Sequence, residues 1–333
     1  MAFLYLTEQG AVLGKRGNRI VVYKGDEKLL DIACHEIEGV MVFGNVQVST
    51  QALALLLRND IELAFFSRRG RLRGQITSPF TKNIELRVAQ YAQYRDPEFK
   101  LRWAQAILKA KLHNCRRLVI GFSHNHPDPA FEQPLQDLDA LRKRIDRQTD
   151  SANLLGIEGH AARVYFGIFG KMLLTDLQFT GRRKRPPPDP VNALLSLSYT
   201  MLFNEIASLL DGMGFDPYLG FFHTVRYGRA SLAADLMEEF RAPVVDRFVL
   251  RLLNRKTIDG ADFVFDPLTN GCHLRKDALK TYFGHWDKWL GGSKKRRLET
   301  EGTHFRALFR RQTEVAMAAV SGKADYQPYL AEW

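Results

Sequence analysis

HTVRYGRASLAADLMEEFRAPVVDRFVL, residues 223–250, decides how the larger part of this 333-residue chain is read. At helical spacing Leu232, Asp235, Leu236, Glu239 and Phe240 fall at i, i+3, i+4, i+7 and i+8, one stripe of a helix. The stripe is mostly apolar and so faces a core, yet it carries two acids. A buried carboxylate is costly unless a cation pairs with it. The candidate cations are an arginine and a metal. His223 precedes Asp235 by twelve residues, and Glu239 follows Asp235 by four.

Outward from this stretch the helical period holds back to about residue 84. IELRVAQYAQYRD, EFKLRWAQAILKAKLHNCRRLVIGF, LQDLDALRKRIDRQTDSANLLGIEGHAARVYFGIF and VNALLSLSYTMLFNEIASLLDGMG each show an apolar face. GRRKRPPPDP, residues 181–190, must be a loop, because three consecutive prolines cannot sit inside a helix. Before residue 76 the pattern is different. FLYLTEQGAVLGKRGNRIVVYKG alternates around turn signals at Gln9-Gly10 and Gly17-Asn18, and EGVMVFG and IELAFFS suit buried strands. STQALALLLRND between them reads as a short helix capped by Ser49 or Thr50, and SRRGRLRG as a basic hairpin turning at Gly70. The expected fold is α+β: a β-rich domain over 1–76, a linker over 77–84, and an all-α domain over 85–333.

Composition narrows the function classes. Lysine and arginine outnumber aspartate and glutamate 48 to 37, a net charge of +11 that favours a polyanionic partner such as nucleic acid. Cys34, Cys115 and Cys272 are widely spaced and odd in number, which argues against a disulfide or zinc framework and for a reducing cytoplasm. No run approaches the roughly 18–20 consecutive apolar residues of a membrane span. MAFLYLTEQG has neither the basic start nor the cleavable apolar segment of a secretion signal.

Polar residues inside apolar helical segments mark the candidate site. Glu158 lies in LLGIEGHAARVYF, His223 closes DPYLGFFH, and Asp235 and Glu239 share the stripe. A Glu, a His and an Asp from separate segments can converge on one divalent cation. Carboxylates suit magnesium or manganese, and an imidazole tilts the set toward manganese. The plainer reading pairs Glu158 with Arg163, and Asp235 or Glu239 with Arg229 or Arg241. Glu238 reads as a solvated face residue.

Several blocks resemble the CRISPR-associated adaptation endonucleases, the integrases that insert spacers into CRISPR arrays. They are FGNVQVSTQAL, SRRGRLRG, LLGIEGHAARVYF, PVNALLSLSYTMLFNEI, LGFFHTVRYGRASLAADLMEEFRAPVVDRFV and FRALFRRQTEVAMAAVSGKADYQPY, which together span nearly the whole chain. The resemblance implies that Glu158, His223 and Asp235 are both the metal ligands and the catalytic residues, with Glu239 in support, orienting a ligand or an arginine. It implies phosphoryl transfer in which a 3′-hydroxyl of a short DNA attacks a phosphodiester at the edge of a repeat. It also implies action on double-stranded and branched DNA, a homodimer formed through the β domain, and a heterohexamer with a small ferredoxin-like adaptation protein. Two other readings use the same residues: a stand-alone structure-selective nuclease acting on branched DNA, and a catalytically silent DNA-binding scaffold.

Phosphate contacts need exposed cations. Arg226 and Arg229 lie between His223 and Asp235 and are the first choice. Arg182, Arg183, Lys184 and Arg185 form a second basic stretch, and Lys294, Lys295, Arg296 and Arg297 a third. Arg68, Arg69, Arg71 and Arg73 line the hairpin of the dimerisation domain. Asn192 and Tyr199 read either as neighbours of the site or as helix packing. His160, two residues beyond Glu158, points away from it on a helix.

Overall fold

The computed structural model describes residues 2–68, 72–76, 83–183, 185–268, 270–291 and 305–332. The fold is α+β, with two compact units: Met1–Phe80 with His273–Arg306, and Thr81–Cys272 with Ala307–Trp333.

In the first unit, strands β1 (Ala2–Leu6), β2 (Val12–Arg16), β3 (Arg19–Lys24), β4 (Glu27–Ala33), β5 (Ile37–Phe43), β6 (Gln47–Val48), β7 (Glu62–Phe66) and β8 (Leu72–Ile76) make two four-stranded sheets. One runs β4-β3-β2-β6 and the other β1-β5-β7-β8. β2 and β3 form a hairpin at Gly17-Asn18, where Gly17 takes a φ of +60° that a residue with a Cβ adopts at a cost. β5 pairs in parallel with both β1 and β7, and all of it except Glu38 is buried, as its unbroken apolar run predicts. The expected hairpin at 67–74 is the antiparallel β7–β8 pair, with its turn outside the described residues. Helix α1 (Thr50–Arg58) is capped by Ser49, whose hydroxyl accepts from the Ala52 N–H. Leu13, Ile20, Leu56 and Leu63 are fully buried between the sheets and the helix.

Helices α2 (Ile84–Arg95), α3 (Pro97–Asn125), α4 (Glu132–Arg144), α5 (Ser151–Phe169) and α6 (Pro190–Met213) build the second unit. Their starts follow the sequence chemistry. Asp96, Asp150 and Asp189 cap α3, α5 and α6, and proline follows the cap in α3 and α6. By length and composition α6 is apolar enough to cross a membrane, but 67% of that window is buried inside the protein. The stretch quoted first is loop from His223 to Ala230 and helical from Ser231 onward, but that helix is not uniform. α7 (Ser231–Met237) tightens into a 3₁₀ turn at Glu238–Phe240, widens into a π-helical segment at Arg241–Asp246, and continues as α8 (Arg247–Asn254). Pro243, which has no N–H to donate, lies in the wide segment. The short strands β9 (Phe263–Asp266) and β10 (Gly271–Leu274) pair next.

Helix α9 (Lys276–Leu290) then joins the first unit, whereas α10 (Phe305–Val320) belongs to the second from Ala307 onward. Phe283 of α9 stacks on Tyr5 at 4.9 Å and lies 4.5 Å from Phe43. The boundaries read from the sequence give all of 85–333 to the helical domain; the compact units place His273–Arg306 with the strands instead. Period identifies a helix, but it does not say which core the helix completes.

The second unit depends on Trp103 of α3. It is 2% exposed, its ring centroid 4.2 Å from Tyr326 and 4.9 Å from Phe221. Trp103→Ala should remove about 3–5 kcal/mol of stability, measured by chemical denaturation. A loss under ~1 kcal/mol would show that neighbouring side chains collapse into the space.

Candidate active site

The site is assembled around the Asp235 carboxylate, which is fully buried in α7. Its Oδ2 accepts the backbone N–H groups of Phe221 at 2.7 Å and Phe222 at 3.0 Å. Its Oδ1 accepts the N–H of His223 and the His223 Nδ1–H, both at 2.8 Å. This close approach requires Gly220. A Cβ there would lie 2.6 Å from the Ser231 carbonyl carbon and 2.8 Å from Asp235 Oδ2. Because a carboxylate only accepts, Nδ1 is the protonated nitrogen and Nε2 keeps its lone pair.

That Nε2 faces Glu238 Oε1 at 3.7 Å. One ligand atom each of Glu158, His223 and Glu238 lies within 4.8 Å of the others. Lys111 of α3 reaches the same place, its Nζ 2.6 Å from Glu158 Oε1 and 2.7 Å from Glu238 Oε2. Arg241 Nε lies 3.0 Å from the other Glu238 oxygen, with its guanidinium 4.6 Å from the Tyr199 ring centroid. Burial alone would raise the pKa of Glu238, but Arg241 and Lys111 outweigh it and hold it below the usual carboxylate range. For Lys111 burial works toward the neutral amine, and Glu238 and Glu158 reverse that and keep it an ammonium. Beside the cluster opens a cavity of about 410 Å³, lined by Lys111, Glu158, Phe166, Arg182, Tyr199 and Arg241 among others.

Of the three ligands predicted from the sequence, Glu158 and His223 converge and Asp235 does not. Its oxygens are taken up by the 221–223 backbone and by the far side of the imidazole. Glu238 stands where the third ligand was expected. It is 2% exposed, which corrects its reading as a solvated residue. The predicted stripe is buried as expected at Asp235 and Glu239, but the helix is enclosed on every side from Ala230 to Phe240, so no face is left for solvent. Glu239 orients neither a ligand side chain nor an arginine. Its carboxylate accepts from the Tyr326 hydroxyl at 2.8 Å, from Gln312 Nε2 at 3.3 Å, and from the Tyr329 N–H. Glu158 is paired with Lys111 rather than Arg163.

The basic residues separate as well. Arg226 is exposed and Arg229 half-buried in the loop between His223 and α7. Arg183 and Arg185 are exposed, and Lys184 lies outside the described residues. Arg182 is not a free surface cation. Its guanidinium bonds Asn192 Oδ1 at 2.9 Å, Ser196 Oγ at 3.1 Å and the Arg183 carbonyl. Asn192 therefore serves the start of α6, and Tyr199 bonds Asp246 beside the cavity. Lys294, Lys295, Arg296 and Arg297 lie outside the described residues, as do Arg69 and Arg71. His160 is exposed, as expected.

A family model described as CRISPR associated protein Cas1 matches residues 4–288. The chain belongs to the Cas1 family. The CRISPR-associated endonuclease Cas1 3 of Thermus thermophilus is 33% identical over 98% of this chain and 96% of its own length. A Cas4 exonuclease/Cas1 endonuclease fusion of Geobacter sulfurreducens is 34% identical over 98% of this chain, which spans only 59% of the fusion's length. One chain in the solved structure of a Cas6-RT-Cas1–Cas2 complex superposes with a TM-score of 0.84 at 25% identity, covering 99% of this chain and 36% of that one.

Within this Cas1 chain, sequence reasoning missed Lys111 and Glu238. Lys111 sits in KLHNCRRL among other basic residues, and nothing local distinguishes it. Glu238 did leave a signal. A helix apolar on all sides has no solvent face, so every acid in it needs a partner, and Arg241 follows at i+3.

Asp235→Ala should strip three backbone N–H groups and the imidazole of their acceptor. Unfolding by urea should show a loss of about 3 kcal/mol or more, and Mn²⁺ titration a weakening of about 10–100-fold. Gly220→Ala should act in the same direction while leaving every acid in place; wild-type metal binding in that variant would show that the turn need not approach α7.

Proposed function

We propose that this chain is a divalent-metal-dependent DNA strand transferase and endonuclease of CRISPR adaptation, working in the cytoplasm. The convergence of Glu158, His223 and Glu238 carries the reading. Two carboxylates and one imidazole with its Nε2 lone pair free suit manganese, and magnesium as well. Asp235 is the outer partner of the ligand histidine, fixing its tautomer and ring orientation. The ligand set is thus Glu158, His223 and Glu238, with Asp235 acting through His223. When bound, the ion polarises a phosphoryl oxygen and neutralises charge that develops on it.

The chain's own residues supply the rest. Lys111 and Arg241 place cations on the wall of the cavity where a phosphodiester fits. The 3′-hydroxyl of the incoming DNA loses its proton as its oxygen bonds to phosphorus, the bond from phosphorus to the repeat's 3′ oxygen breaks, and that oxygen takes up a proton, so that the exchange is balanced. No nucleophilic side chain is needed. With water in place of the hydroxyl, the same site hydrolyses. Arg226 and Arg229 flank the site on the loop after His223 and contact phosphates, with Arg183 and Arg185 as further exposed cations. The net charge of +11 fits a DNA partner. Family membership supports a homodimer joined through the β-rich unit, and the Cas2-containing complex of the structural relative supports a small adaptation protein as partner.

The test is strand transfer. A short duplex with free 3′-hydroxyls is mixed with a supercoiled plasmid carrying a repeat, in Mn²⁺ or Mg²⁺, with and without the small partner. Glu158→Ala, His223→Ala and Glu238→Ala should each abolish joining with the fold intact by circular dichroism. Joining that survives in all three would remove the assigned site. Metal-dependent cutting of branched DNA without joining would keep the site and favour a structure-selective nuclease.

For the DNA surface, Arg226→Ala and Arg229→Ala should each weaken binding and lower the slope of log K against log salt by about 0.9. Unchanged slopes would place the DNA elsewhere.

A further inference from the structure

The cluster is charge-balanced before any metal arrives. Two carboxylates, Glu158 and Glu238, face two cations, Lys111 and Arg241. Lys111 bridges the two acids, and its side chain is only 11% exposed. A divalent ion entering such a place adds two positive charges next to an ammonium in a poorly hydrated setting. That is unfavourable unless a cation leaves or an anion comes in.

We propose that Lys111 is a built-in counter-ion which the divalent metal displaces, so that it sets the metal affinity of the Glu158–His223–Glu238 cluster and ties metal loading to DNA. The inference rests on the metal-site reading above.

The chemistry of the two cations supports the assignment. A lysine is a point charge on a flexible four-carbon stem, whereas the Arg241 guanidinium is a rigid fork lying against the Tyr199 ring. Lysine is therefore the cation able to move. It has a place to go, because Lys111 lines the cavity of about 410 Å³ as well as the cluster. A phosphate in that cavity would receive the displaced ammonium, and the metal and the DNA would then each favour the other. Such coupling is reciprocal: DNA raises metal affinity by the factor by which metal raises DNA affinity.

The experiment measures Mn²⁺ binding to the full-length protein by the electron paramagnetic resonance signal of free Mn²⁺. Wild type, Lys111→Met, Lys111→Gln and Lys111→Arg are compared, each checked for folding by circular dichroism. Without DNA, the two neutral variants should bind Mn²⁺ about tenfold more tightly than wild type, and Lys111→Arg no more tightly. A 3′-dideoxy duplex, which can bind but not be joined, should tighten Mn²⁺ binding by wild type by about tenfold and by the neutral variants by much less. Neutral variants that bind Mn²⁺ as weakly as wild type, or more weakly, would overturn the proposal and leave Lys111 as a scaffold for the acids. If one neutral variant fails to fold, the other decides. Glu158→Ala is the separate control: Mn²⁺ binding that persists there would sink the metal-site reading and this inference with it, whereas its loss beside unaltered Lys111 variants would sink the inference alone.

Discussion

Three consecutive N–H groups, those of Phe221, Phe222 and His223, end on one buried carboxylate, and the geometry of the site follows from that gathering. An anion fully out of water must be met by donors, and charge-assisted bonds of this kind are each worth roughly 1.5–3 kcal/mol. Asp235 therefore pulls the turn against α7, and Gly220 permits the approach. The imidazole is held by its inner nitrogen, so its outer nitrogen is presented toward Glu238. A loop that would otherwise sample many conformations delivers one nitrogen to one place.

The helix from Ser231 to Asn254 places four acids in four different settings. Asp235 meets backbone donors, Glu238 meets Lys111 and Arg241, Glu239 meets Tyr326, Gln312 and Tyr329, and Asp246 meets Tyr165 and Tyr199. Neighbouring residues of a regular α-helix already point about 100° apart, which sends Glu238 and Glu239 to different surroundings. The 3₁₀ turn followed by the π-helical segment changes the angular step where these residues lie. The compensation differs too. Burial pushes Glu239 up to about 8, because its donors are all neutral. It pushes Asp246 up to about 6 against the pull of its two tyrosines and nearby arginines. At Glu238 the cations Arg241 and Lys111 outweigh burial and hold the carboxylate below its usual range.

How much of this was legible in the sequence depends on which interactions are local. Strand alternation around Gly17-Asn18 and the Ser49 cap act within a few residues, and both stand where the pattern puts them. The burial of Asp235 and Glu239 followed from a simple stripe. The exchange of Asp235 for Glu238 in the cluster did not, because it depends on a turn folded back from Gly220 that takes up the Asp235 carboxylate. Lys111 lies 47 residues from Glu158 in the chain, and no period links them. Arg182 was read as a phosphate contact because it sits among basic residues, yet its two terminal nitrogens are bonded to Asn192 and Ser196.

Helix α9 bears on how the chain comes to fold. The strands of the first unit are complete by Ile76, but Tyr5 and Phe43 wait for Phe283, some two hundred residues later. On a ribosome the larger piece of the helical unit, Thr81–Cys272, emerges in between. The early sheets must therefore persist with an aromatic face open to water while that unit forms, and such a face invites association with other chains. Contacts this distant along the chain also slow closure of the unit, since a long loop must be ordered before they form. Nor can a single cut free the strand-rich unit whole, because its two pieces, Met1–Phe80 and His273–Arg306, are separated by Thr81–Cys272 of the other unit.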